Sequence, residues 1–110
     1  AGAVPTLRAV WGAGAKDVWA VGLNGTVARY DGSVWTVTRS GELYSLNDIW
    51  GSSASDVYAV GSDGTVLHFD GSTWTDQQTA VGETLNAVWG SSDKNVLIAG
   101  EGGALLRKTK

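Results

Sequence analysis

At 110 residues the chain has room for one small domain, and a composition that is 43% hydrophobic and 17% charged with a single proline argues against disorder. A net charge of −3 and a pI near 4.8 leave no basic face to neutralise phosphates, so nucleic acid is not an expected partner. With no cysteine there is neither a disulfide nor thiolate chemistry, and no apolar run approaches a bilayer span, so a membrane is not expected either.

The stretch "LRAVWG" from Leu7 returns as "LNDIWG" from Leu46 and "LNAVWG" from Leu85, a period of 39 residues. Trp11, Trp50 and Trp89 fall in register, as do Gly22, Gly61 and Gly100, and Trp35 with Trp74. Between residues 7–45 and 46–84, 17 of 39 positions are identical without a gap, which sets tandem repeats at 7–45, 46–84 and 85–110. Taken in chain order, each repeat reads as four strands. The first is "LNDIW" and ends at a glycine. The second is "DVYAVG", with Val57 and Ala59 on one face and Tyr58 and Val60 on the other. The pairs Asn24-Gly25, Asp63-Gly64 and Gly102-Gly103 tolerate positive φ and predict type I′ hairpins. "TVLHF" is the third strand, Asp70-Gly71 forms the next turn, and the fourth strand, "STWTDQQ", is rich in Thr and Trp. No apolar period of a helix with capping residues occurs, so no helix is expected. Four antiparallel strands in a repeat of this length point to an all-β chain of β-propeller blades, about three in number.

The segment "VWGSSASDVYAVGSDGTVLHFDGSTW" resembles the repeat WG-S-S-x-x-D-V-[YFW]-A-V-G-x-x-G-T-[IV]-x-[HR]-[YF]-D-G-x-x-W of many bacterial β-propeller proteins, and the likeness runs from Leu7 onward. The resemblance implies a multi-bladed, usually extracytoplasmic propeller with a binding role. Leu97, Ile98 and Ala99 replace "YAV" in the third repeat, which departs furthest from the pattern.

Propellers close with about four to eight blades. Three blades therefore leave apolar faces and strand edges that invite association. The partner expected first is the chain itself, as a homodimer forming a six-bladed ring by two-fold symmetry. Residues 1–6 align with the tail of a fourth strand, and the third repeat lacks the counterpart of Ser33–Arg39, so residues 1–6 are expected to complete a neighbour's third blade as a partial outer strand.

Most of the residues that look chemical are better read as structural. Trp11, Trp50 and Trp89 precede a glycine on the innermost strand and are expected to pack between blades. Trp19 and Tyr58 share a position that Leu97 fills, which marks a packing site. Trp35 and Trp74, on the outer strand beside polar turns, are the candidate ligand-binding residues, with glycans as the alternative partner. His68 has Arg29 and Arg107 at its equivalent positions, so it reads as a solvated or salt-bridging residue, not a metal ligand. Neither a catalytic site, a cofactor nor a metal is expected. Asp17, Asp31, Asp56, Asp63 and Asp70 recur by repeat and are expected to bond nearby backbone N–H groups or sit in turns. The reading that follows is a non-enzymatic, self-assembling scaffold or binding module. The alternatives are a lectin-like propeller with sites between blades and, less favoured, a protein-interaction platform or a glycosidase-like enzyme.

Overall fold

A computed structural model describes residues 6–39, 45–77, 82–92, 95–103 and 105–108. Three antiparallel sheets follow one another along the chain. The first is β1 (Leu7–Gly14), β2 (Asp17–Gly22), β3 (Thr26–Tyr30) and β4 (Trp35–Arg39). The second is β5 (Leu46–Ser53), β6 (Asp56–Gly61), β7 (Val66–Phe69) and β8 (Trp74–Asp76). The third has β9 (Leu85–Ser92), β10 (Asn95–Gly100) and β11 (Leu105–Lys108). Each sheet is a meander in which consecutive strands pair, as expected of a blade. Among the described residues the third blade carries three strands. The fourth-strand role expected of residues 1–6 lies outside the described residues except at Thr6. The carbonyl of Thr6 accepts from Leu23 N at 2.9 Å within its own blade, as those of Ser45 and Thr84 do from Ser62 and Glu101.

The hairpin pairs take the expected geometry. Asn24 has φ 59° and ψ 30° and is followed by Gly25 at φ 69°; Asp63 has φ 56° and ψ 35° before Gly64 at φ 70°. Two successive left-handed residues make the type I′ turn, whose twist matches that of the flanking strands. Asp31 and Asp70 build the second turn. Each accepts two backbone N–H bonds on Oδ1, from Ser33 and Val34 and from Ser72 and Thr73, at 2.9 and 3.0 Å. The first strand differs from expectation. It does not stop at the glycine but continues through a register shift between Gly51 and Ser53, repeated between Gly12 and Gly14, so the Trp-Gly step lies inside the strand.

The core lies between blades. Trp19, Val21 and Val27 of the first blade meet Leu46, Ile49, Val57, Ala59, Leu67 and Phe69 of the second. Tyr58, Val60 and Val66 of the second meet Leu85, Val88, Val96 and Ile98 of the third. Strand alternation explains the division: Val57 and Ala59 face backward and Tyr58 and Val60 forward, so β6 is buried on both sides.

Candidate functional site

Two sets of residues stand out, one at the outer end of a blade junction and one along the inner strands. The outer set surrounds a cleft of about 680 Å³ between the first and second blades. Its floor is the buried indole of Trp19 on β2, with the ring of Phe69 on β7 at 4.8 Å and Trp74 on β8 meeting it edge-on at 5.6 Å. Arg29 on β3 lies over this floor, its Cζ 4.4 Å from the Trp19 ring and 5.7 Å from that of Phe69. Trp19 and Arg29 are cross-strand partners, which places the guanidinium on the indole. Arg29 Nε donates to Asp17 Oδ1 at 3.0 Å, and Lys16, Asp31, Thr36 and Ser72 complete the rim. The cleft therefore offers an aromatic wall with both signs of charge around it.

The two candidate ligand-binding tryptophans part company here. Trp74 lines the cleft and packs with Trp19 and Phe69. Trp35 lies outside it, 50% exposed and stacked at 5.2 Å on Tyr30 of its own blade. The difference is one of neighbours: Trp74 leans on the first blade, and among the described residues no blade stands in that place beside Trp35.

In the second blade the equivalent of the Arg29–Asp17 pair is His68–Asp56, at 2.6 Å, with the imidazole 4.6 Å from the Tyr58 ring. Asp17 and Asp56 thus bond side chains across the sheet, because strand pairing brings Arg29 and His68 to them. Ser52 also donates to Asp56 Oδ2. Serine, aspartate and histidine are assembled, but the carboxylate sits between the other two. In a Ser-His-Asp triad the imidazole stands beside the hydroxyl; here Ser52 bonds one carboxylate oxygen of Asp56 and His68 the other. In the third blade Asn95 holds the corresponding place and donates to Ser91 Oγ at 2.8 Å. No group of three or more His, Cys, Asp or Glu side chains that would suit a metal ion occurs among the described residues.

The inner set is a ladder that steps from blade to blade. The ring of Trp11 lies over Gly51, where a Cβ would come within 2.7 Å of Cη2, and the ring of Trp50 lies over Gly90, where the distance would be 2.5 Å. Beside these, Arg8 Nη1 donates to Asn47 Oδ1 at 2.6 Å and Asn47 Nδ2 donates to the Leu85 carbonyl at 3.0 Å. Asp48 Oδ2 adds a bond from Val88 N at 2.9 Å at the second junction. Sequence reading took the glycines after each tryptophan as strand ends and missed that they are seats for the previous blade's indole. The signal was present in the constant spacing of Gly12, Gly51 and Gly90. Trp89, third in the series, is 58% exposed, while Trp19 and Tyr58 are buried at 3% and 5%.

No protein-family model matches the chain, and no curated protein matches it. Among solved structures, one titled "YCF48 bound to D1 peptide" superposes with a TM-score of 0.85 at 18% sequence identity. The likeness covers all of this chain and 39% of the other, so this chain spans well under half the length of that protein. At such identity the likeness concerns the fold, and the fold is that of stacked β-propeller blades.

Proposed function

We propose that this chain is a non-enzymatic β-propeller binding module that assembles with itself, as a homodimer, into a six-bladed ring. One observation carries the reading. Among the described residues, the exposed large apolar side chains are Leu7, Val10, Val34, Trp35, Val37, Trp89 and Leu105, all in the first and third blades. The described residues of the middle blade, flanked on both sides, include none. Burying a large apolar side chain contributes about 1.5–3 kcal/mol, and bare patches of this kind mark association surfaces. The motif likeness to bacterial propeller repeats supports the same assignment. So does the recurrence of the cross-strand pair in the first two blades, Arg29–Asp17 and His68–Asp56, which gives them similar environments where catalysis calls for carboxylates in distinct ones. Native mass spectrometry in dilute buffer tests it: a mass of two chains is expected, and a stable single-chain mass refutes the dimer.

A second reading, glycan binding between blades, is favoured by the cleft at the first junction, where Trp74 offers an apolar face beside the polar groups of Asp31 and Thr36. YCF48 is described bound to a peptide, which makes a polypeptide the competing ligand for the same cleft. Tryptophan fluorescence titration against a panel of sugars and a panel of peptides separates them. A signal flat across the sugars removes the lectin reading.

A further inference from the structure

The two bare faces of the chain match each other residue by residue. At each internal junction the trailing blade lends a tryptophan to a glycine of the next: Trp11 to Gly51, and Trp50 to Gly90. The third blade ends this series with Trp89, which is 58% exposed. The first blade opens it with Gly12, where an added Cβ would meet Val18 Cγ2 at 3.2 Å and no indole. One face carries a tryptophan without a seat and the other a seat without a tryptophan.

The surrounding positions repeat the pattern. Leu46 and Ile49, and likewise Leu85 and Val88, are buried by the blade before them, whereas their equivalents Leu7 and Val10 are 43% and 67% exposed. Those two residues, with Arg8, Ala9 and Ala20, line a groove of about 310 Å³. At the internal junctions the equivalent surface is filled by Trp19, Val21 and Val27, or by Tyr58, Val60 and Val66. The third blade supplies Leu97, Ala99 and Leu105 at these positions, and Leu105 is 69% exposed. The polar ladder continues in the same sense. Asn47 donates to the Leu85 carbonyl, and Asn86 stands where Asn47 does, one repeat on, with Leu7 in the place of Leu85.

We infer that the third blade of one copy docks on the first blade of a second copy, with the Trp89 indole seated on Gly12, Leu105 in the groove of Leu7 and Val10, and Asn86 bonded to the Leu7 carbonyl. The inference rests on the homodimer reading above and names its interface. The occupant is a second copy because the chain carries both halves of a contact it already makes twice within itself. Head-to-tail contacts close when the rotation per subunit divides the circle. Two copies then give two identical junctions and a ring without exposed blade faces.

The test is a double-mutant cycle on the full chain, with Gly12→Leu, Trp89→Ala and the pair together, and Gly14→Ala as control because nothing lies within 4 Å of a Cβ there. Dimer dissociation constants are read by sedimentation equilibrium and native mass spectrometry. Each single substitution is expected to weaken the dimer by about thirtyfold or more, and the double by clearly less than the product of the two, since leucine at residue 12 fills space vacated by the indole. Trp89 is exposed in the single chain, so Trp89→Ala keeps the test decisive if Gly12→Leu impairs folding by circular dichroism. A wild-type dimer whose affinity is unchanged by Trp89→Ala overturns this interface and leaves the homodimer standing. A wild-type mass of one chain overturns both and assigns the bare faces to another polypeptide.

Discussion

The six-membered ring of Trp50 lies against Gly90 so closely that a Cβ on residue 90 would stand 2.5 Å from Cη2. Neither side can give way easily, since Trp50 is wedged beside the Val88 and Val96 cluster and Gly90 lies within a paired strand. Gly90→Ala is therefore expected to destabilise the chain by about 1–3 kcal/mol through overpacking, seen as a lower urea midpoint at unchanged slope. Gly14→Ala, with open space at its Cβ, should leave the midpoint in place.

Trp19 joins the first junction from three sides: Phe69 at 4.8 Å, Trp74 at 5.6 Å and the Arg29 guanidinium at 4.4 Å. Leucine occupies the equivalent position in the third repeat, so Trp19→Leu retains an apolar residue while removing the ring contacts. A loss of about 2 kcal/mol is expected from the residual cavity and the lost ring and cation–π interactions. Thermal denaturation measures it, and an unchanged transition would show that the junction does not depend on the indole.

The two Asp-Gly turns give a pH dependence. Backbone N–H bonds, from Val34 and then Ser33 for Asp31 and from Thr73 and then Ser72 for Asp70, hold both carboxyls below their ordinary value of 3.8. Because the folded value is the lower one, the stabilisation is present above the ordinary value and is lost as pH falls through the depressed value. Thermal stability should thus drop on acidification below about pH 4. In the double variant Asp31→Asn/Asp70→Asn, which keeps a side-chain oxygen as acceptor, that acid limb should flatten. An identical limb in the variant would place the acid sensitivity elsewhere.

His68→Arg and His68→Leu should separate the pairing role of this position from its packing. Arg29 makes the equivalent bond to Asp17, so arginine at residue 68 can bond Asp56, and the change should stay within about 0.5 kcal/mol. Leucine leaves the half-buried Asp56 carboxylate without its cross-strand partner, and a loss of about 1–2 kcal/mol is expected in chemical denaturation. Equal stability of the two variants would show that the bond to Asp56 adds nothing measurable here.

Much of this architecture is legible in the sequence. The strands, the type I′ turns at Asn24-Gly25 and Asp63-Gly64 and the two-faced burial of β6 follow from alternation, positive-φ residues and an ungapped repeat, all of which are local. What is not legible is which side chain meets another across a hairpin or a junction. Asp17 and Asp56 looked like turn residues because their partners, Arg29 and His68, are a hairpin away and meet them only once the register is set. Trp35 and Trp74 are equivalent in sequence yet lie in different surroundings, one on a bare face and the other in a cleft, because position in the row of blades is not encoded in the repeat itself. The exposure of Trp89, which reads as a residue packed between blades, and the open seat at Gly12 are hidden for the same reason.

The burial of β6 on both faces has a consequence for how the chain comes apart. A strand whose odd residues belong to one cluster and whose even residues belong to the other leaves its sheet no private core to fall back on. In arrays whose units touch only their neighbours, stability resides in the interfaces and spreads along the row. The central blade is then the keystone of the chain. Its loss would strand both outer sheets at once, so heat or denaturant meets one transition, and a defect placed in β6 weakens the row in both directions.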